Sequence, residues 1–137
     1  MSRLDDITVT VLQAGDGAAP HGRALLAELE DLLRGLVEQG REGSIDLRSL
    51  PLSPADRAFL ERQLGQGEVT AEVSALGPSV IRETAIRGVW WVRHYNGNDE
   101  VMAEFLEVTH CPDIIRAHPA DVRDSLEDLR GRLAEAE

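Results

Sequence analysis

Side chains able to ligate a metal, attack a carbonyl or move a proton are few in this chain, and they fall into three groups. The stretch "HCPDIIRAH", residues 110–118, brings His110, Cys111 and His118 close together, a set of soft ligands of the kind zinc and iron sites use. A structural zinc site pairs its ligands at short spacing, as in C-x-x-C, and supplies four of them. Neither the pairing nor the fourth ligand is present, so these residues read as a strand-end loop, and no metal or cofactor is expected. Cys111 as a nucleophile has His110 beside it in sequence, but adjacent residues on an extended chain diverge, so the signal is thin. Glu83, Glu104 and Glu107 form the third group, a source of paired carboxylates for acid–base work at a spacing that any strand surface shows. The glycine-bearing "AGDGAAPHG" lacks the P-loop lysine and is no G-x-G-x-x-G, and G-x-S-x-G is absent. No catalytic constellation is assembled. A small hydrolase or transferase using the sheet glutamates stays open as an enzyme-class reading, and an iron or iron–sulfur carrier using Cys111 and the histidines as another.

Composition narrows the partners. Fourteen arginines and no lysine stand against 25 acidic residues, a formal charge of −11. Such a chain repels a phosphate backbone, so nucleic acid is not expected as a partner. The single cysteine excludes an internal disulfide and fits a reducing compartment. Two aspartates interrupt the N-terminus where a signal peptide would be apolar, and no apolar run approaches a membrane span. The expectation is a soluble, cytoplasmic protein without membrane contact, one domain over residues 1–137.

The elements that would position these groups follow from periodicity. Residues 7–12, "ITVTVL", read as a short strand, followed by a glycine-rich loop to about residue 20. Over residues 23–39 Leu25, Leu26, Leu29, Leu32, Leu33, Leu36 and Val37 keep helical spacing, and Gly40 stands at the C-terminal glycine position. Ile45, Leu47 and Leu50 suggest a short extended piece. Ser53-Pro54-Ala55-Asp56 then opens a second helix with an N-cap serine, a proline at the first position and an acid in the first turn. From Glu68 the period becomes two: "EVTAEVSAL", "VIRETAI", "VWWVRHY" and "EVMAEFLEV" alternate, separated by Gly77-Pro78, Arg87-Gly88 and Asn96-Gly97. A last helix over residues 119–134 is expected to turn Val122, Leu126, Leu129 and Leu133 toward the core. The fold class is α+β: an antiparallel meander of about four to six strands with helices packed mainly on one face.

Two adjacent tryptophans must point to opposite faces of a strand. Asn96-Gly97 is a strong signal for a two-residue type I′ hairpin. Counting outward from it sets Arg93 against Glu100, Val92 against Val101, Trp91 against Met102 and Trp90 against Ala103. One face then carries Trp90, Val92, Val101, Ala103 and Phe105, assigned to the helix-covered core. The other carries Val89, Trp91, Arg93, Tyr95, Glu100, Met102, Glu104, Leu106 and Val108. Two readings of this mixed face remain open: coverage by the chain's own elements, or a binding surface rich in tryptophan, methionine and arginine.

The segments "GSIDLRSLPLSPADRAFLERQLGQGEV", "GPSVIRETAIRGVWWVRHYN" and "AEFLEV" resemble the hydrogenase expression/formation family HupH/HyaF, over residues 25–117. Residues 45–51, "IDLRSLP", and Ile81-Arg82-Glu83-Thr84 followed by Gly88-Val89-Trp90-Trp91-Val92 carry the likeness; Arg87-Gly88 stands where the family pattern has Pro-Gly. The resemblance implies an accessory, chaperone-like protein in maturation of [NiFe] uptake hydrogenases, a binding module rather than an enzyme. Its implied partners are the precursor of the iron–sulfur small subunit, held before export, and other maturation proteins. A second copy of the chain, in a homodimer, is a further expected partner if one domain must recreate a two-domain surface. The contact surface expected on that basis is Arg82, Glu83, Trp91, Arg93, Met102 and Glu104.

Overall fold

A computed structural model describes residues 19–75 and 77–136; the strand expected over residues 7–12 lies outside them. Helix α1, Pro20–Gln39, begins with proline at its first position and ends on Gly40, whose left-handed backbone (φ +67°) lets its N–H return to the last turn. Leu25, Leu29 and Leu36 are buried on its inner face, while Val37, expected to join them, is exposed. Strand β1, Gly43–Asp46, runs into a 3-10 turn, Leu47–Ser49, held where the Asp46 carboxylate accepts from Arg48 N–H. Helix α2, Pro54–Leu64, starts with the expected signal as a full capping box, Ser53 Oγ accepting from Asp56 N–H and Asp56 from Ser53 N–H. Asp56 also accepts from Gly22 N–H at 3.1 Å, which ties the starts of α1 and α2 together. Burial alone pushes the Asp56 carboxyl up, but these hydrogen bonds from Ser53 and Gly22, with His21 nearby, outweigh it and hold the carboxyl below its ordinary range.

Strands β2 (Thr70–Val73), β3 (Ser79–Glu83), β4 (Val89–Tyr95) and β5 (Val101–Val108) form the expected antiparallel meander. β1 adds to the far side of β5, giving the five-stranded order β1-β5-β4-β3-β2. At the β2–β3 turn Gly77 has φ +85°, and a Cβ there would strike the Tyr95 carbonyl oxygen, so only glycine fits.

The hairpin register differs from the expected one. Trp91 pairs with Leu106, Val92 with Phe105 and Arg93 with Glu104. The loop is wider than Asn96-Gly97. Asn96 Oδ1 accepts from the backbone N–H of Asn98 and Glu100, Asn96 N–H donates to Glu100 O, and Asp99, not glycine, takes the positive φ of 64°. Asparagine here organises the loop with its side chain rather than filling a two-residue turn. A bulge follows: pairing steps from His94↔Ala103 to Tyr95↔Val101, leaving Met102 unpaired.

The assignment of the two faces is reversed. Val89, Trp91, Leu106 and Val108 belong to the main core with Ile45, Leu47, Leu60, Leu64 and the α1 leucines. Trp91 is therefore covered by the chain's own helices, at 2% exposure. Trp90, Ile81 and Val92 form a smaller cluster on the opposite face, with Ala71, Val73, Phe105 and Ile115 against it. Ile115 comes from a second 3-10 turn, Asp113–Ile115, and Trp90 Nε1 donates to Thr109 O at 3.0 Å. The charged members made the Trp91 face look wet, but Arg93 and Glu104 neutralise each other there. Helix α3, Pro119–Glu135, is a correction too: it buries no residue, and Val122, Leu126, Leu129 and Leu133 face outward.

Candidate binding site

The strongest concentration of paired charge lies where α2 crosses the β4–β5 hairpin. Arg93 and Glu104 are cross-strand partners on the helix-covered face. Glu104 is 3% exposed, and a carboxylate there must be fully hydrogen-bonded. Its Oε2 accepts from Trp91 Nε1 and from Arg93 Nε, each at 2.7 Å, and its Oε1 accepts from Arg57 Nη2 at 2.6 Å. Burial alone pushes this carboxyl up; the hydrogen bonds from Arg57, Arg93 and Trp91 outweigh it and leave it below its ordinary value. Arg93 is held above its ordinary value by the same contact, against the opposing effect of burial. The guanidinium groups of Arg82 and Arg93 lie 5.2 and 5.6 Å from the centre of the Trp91 ring, and both reach Glu61 of α2.

Beside this network opens a cavity of about 470 Å³. Its charged wall is Arg57, Arg93 and Arg48, with Glu104 at the base; Leu47, Leu50, Leu52 and Val101 supply the apolar wall. Arg48 is exposed and fixed by donating from Nη1 to Val101 O at 3.0 Å. Three arginines around one buried carboxylate make a net positive, partly apolar recess on a strongly acidic chain. Such a recess suits an apolar side chain next to an acidic group.

Of the residues expected to form a contact surface, Arg82, Trp91, Arg93 and Glu104 are brought together, but Trp91 and Glu104 lie beneath the surface and act as supports. Glu83 is on the opposite face, paired across strands with Trp90. Met102 is 59% exposed at the bulge. Arg48, Arg57 and the three leucines were not expected in the site. Arg48 and the leucines belong to the "IDLRSLP" segment and its continuation, but Arg57 is 47 residues from Glu104 and periodicity cannot show that they meet.

The glutamates do not converge. Glu83 and Glu107 each pair with Trp90 from opposite sides, which by strand spacing separates them by about 10 Å. Glu104 faces the other side of the sheet. Glu107 instead lines a recess of about 310 Å³ with Glu42 and Asp113. Burial, and then the charges of Asp113 and Glu42, push its carboxyl up, against the opposing effect of His94. His118 Nδ1 accepts from Ala120 N–H and so caps α3, and among the described residues no three His, Cys, Asp or Glu side chains are placed to hold a metal.

A five-stranded antiparallel sheet with two helices packed on one face is the architecture this chain shares with a solved hydrogenase expression protein. The chain belongs to the HupH family: residues 20–136 match the model of the HupH hydrogenase expression protein, C-terminal conserved region. A solved structure, hydrogenase expression protein HupH from Thiobacillus denitrificans, superposes with a TM-score of 0.80 at 37% identity, over 84% of this chain and 96% of that one. Among longer relatives, the hydrogenase expression/formation protein HoxQ of Azotobacter vinelandii is 37% identical over 108 residues, 77% of this chain and 38% of HoxQ. HupH of Rhodobacter capsulatus is 37% identical over 112 residues, 82% of this chain and 39% of that protein. The chain thus spans about two fifths of the length of these relatives.

Proposed function

We propose that this chain is a non-catalytic accessory protein of [NiFe] hydrogenase maturation, working in the cytoplasm by holding a segment of an immature hydrogenase subunit. The iron–sulfur small-subunit precursor is the partner favoured. Membership of a family of hydrogenase expression proteins supports the process; the arginine-walled cavity supports binding as the mode of action. The carrying observation is that cavity, in which Arg48, Arg57 and Arg93 face Leu50 and Leu52. A precursor segment that combines an acidic side chain with an apolar one would satisfy both walls. On this reading Trp91 and Glu104 serve binding indirectly, by fixing the two inner arginines.

The test is capture of purified small-subunit precursor on the immobilised chain. Wild type should retain it, and Arg48→Glu, at an exposed position that leaves the Glu104 network intact, should lower retention several-fold. Undiminished retention by Arg48→Glu and by Leu50→Asp together removes the cavity from the proposal. Normal hydrogenase activity in a deletion strain, at low and ordinary oxygen, removes the maturation role.

A further inference from the structure

Helix α3 carries a second surface that the cavity does not use. Every residue from 121 to 136 is exposed. Its apolar residues are Val122, Leu126, Leu129 and Leu133, exposed by 53, 51, 64 and 67%. Their spacing of four, three and four residues is that of alternate d and a positions in a heptad, a seam that would lie along one partner helix. The stripe is continuous rather than scattered, which distinguishes it from ordinary single exposed leucines.

The charges around that seam are sorted by sign. In the same register Arg123 and Arg130 fall at e, and Arg132 falls at g, the positions that border the seam. Asp121, Asp124, Glu127, Asp128 and Glu135 all fall at b, c or f, on the side turned away from it. Arg130 and Arg132 touch Glu127 and Asp128 of their own helix at 2.9 Å, but these are exposed pairs within one helix, which water and salt weaken. Their guanidinium groups are free to exchange to an acid across an interface.

We infer that α3 docks an amphipathic helix of another protein, one with an apolar seam flanked by glutamate or aspartate. Charge complementarity selects this occupant over a second copy of the chain. In an antiparallel self-pair Arg123 faces Arg130, and in a parallel one Arg130 faces Ser125. This surface is independent of the arginine-walled cavity, so either can fail without the other.

The test uses the full chain and two synthetic heptad peptides, identical in their leucine and isoleucine seam. One carries glutamate at every e and g position and the other lysine, so each resists pairing with itself. Fluorescence anisotropy should show the glutamate peptide binding about tenfold or more tighter than the lysine peptide at low salt. The difference should shrink at about 0.5 M NaCl, where the Debye length falls to roughly 4 Å. Leu129→Asp should abolish binding without changing the circular dichroism of the chain, because that side chain buries nothing. Arg123→Glu with Arg130→Glu should reverse the peptide preference. Equal binding of both peptides, binding of neither, or a dimer by sedimentation that Leu129→Asp dissolves would each overturn the inference.

Discussion

Replacing Glu104 by glutamine probes whether one buried carboxylate organises the helix-covered face. The substitution keeps volume and removes charge. An amide turned toward Arg57 gives up one charge-assisted hydrogen bond and takes the Glu104 charge away from Arg57 and from Arg93, which keeps the longer contact to Glu61 at 3.6 Å. Turned the other way, it sets a donor against Trp91 Nε1 and Arg93 Nε at once, so the first orientation is the cheaper. A hydrogen bond to a charged group contributes about 1.5–3 kcal/mol. Arg57 and Arg93 are 38 and 32% exposed, so water recovers part of the loss. The expected destabilisation at pH 7 is about 2 kcal/mol. With an m-value of about 1.5 kcal/mol/M, the urea midpoint moves down by roughly 1.3 M. Tryptophan fluorescence and far-UV circular dichroism follow it. The folded pKa of Glu104 lies below the ordinary glutamate value of 4.5, so its contribution is complete above that value and is lost as pH falls through the folded one. Wild type and variant should therefore converge only once pH has fallen below the folded pKa. A cost under about 0.5 kcal/mol at pH 7, below that of one ordinary hydrogen bond, or a gap that persists unchanged at low pH, refutes the reasoning.

Other perturbations have equally definite outcomes. Asp56→Ala removes the acceptor shared by Ser53 N–H and Gly22 N–H and should cost about 2–3 kcal/mol in urea unfolding, against a few tenths for a typical surface change. Glu107→Gln should raise the melting temperature at neutral pH: its folded pKa is raised, so ionisation in the acidic recess opposes folding as pH rises through that pKa, and the gain should vanish below the ordinary value of 4.5. Gly97→Ala should change stability by less than about 0.5 kcal/mol, because Gly97 has no positive φ and open space around it; a two-residue type I′ turn would make the same change costly. Gly67→Ala should destabilise strongly by thermal melting, since its Cβ would sit 2.5 Å from the Thr84 carbonyl oxygen.

The elements were legible where the signal is local. The capping box at Ser53 and Asp56, the leucine period of α1 and the four alternating strands depend on neighbours in sequence, and all are found. The partition of the hairpin into faces also holds for β4, because an even register shift leaves side chains on the same side. Which face the helices cover was not legible. Arg93 and Glu104 mark that face as solvated if each is counted alone, and only their pairing with Trp91 and Arg57 makes burial tolerable. In α3 the periodicity marks a helix, which forms, but not the face it turns to the core: an apolar stripe at helical spacing is the same whether it packs inward or lies exposed.

The same buried carboxylate links stability to the proposed site. Trp91 fixes one side of Glu104, and Glu104 fixes Arg57 and Arg93 at the wall of the cavity, so two of its three arginines are placed by the fold's own core. Pre-placed guanidinium groups lose less freedom on meeting an acidic partner than loose ones, which is where a small recess gains affinity. Arg48 is the exception: it is exposed, and among the described residues its side chain is held by the Val101 carbonyl alone. Loss of binding in an Arg57 or Arg93 variant therefore mixes contact with disturbance of Glu104, whereas loss in Arg48→Glu reports contact alone. The arginines of α3 sit on a helix that buries nothing, so their substitution leaves the Glu104 network untouched. An experiment that varies Arg48 and Arg130 separately and together asks whether the chain holds one partner through both surfaces or joins two. Additive losses against a single ligand mean the first, and independent losses against different ligands mean the second.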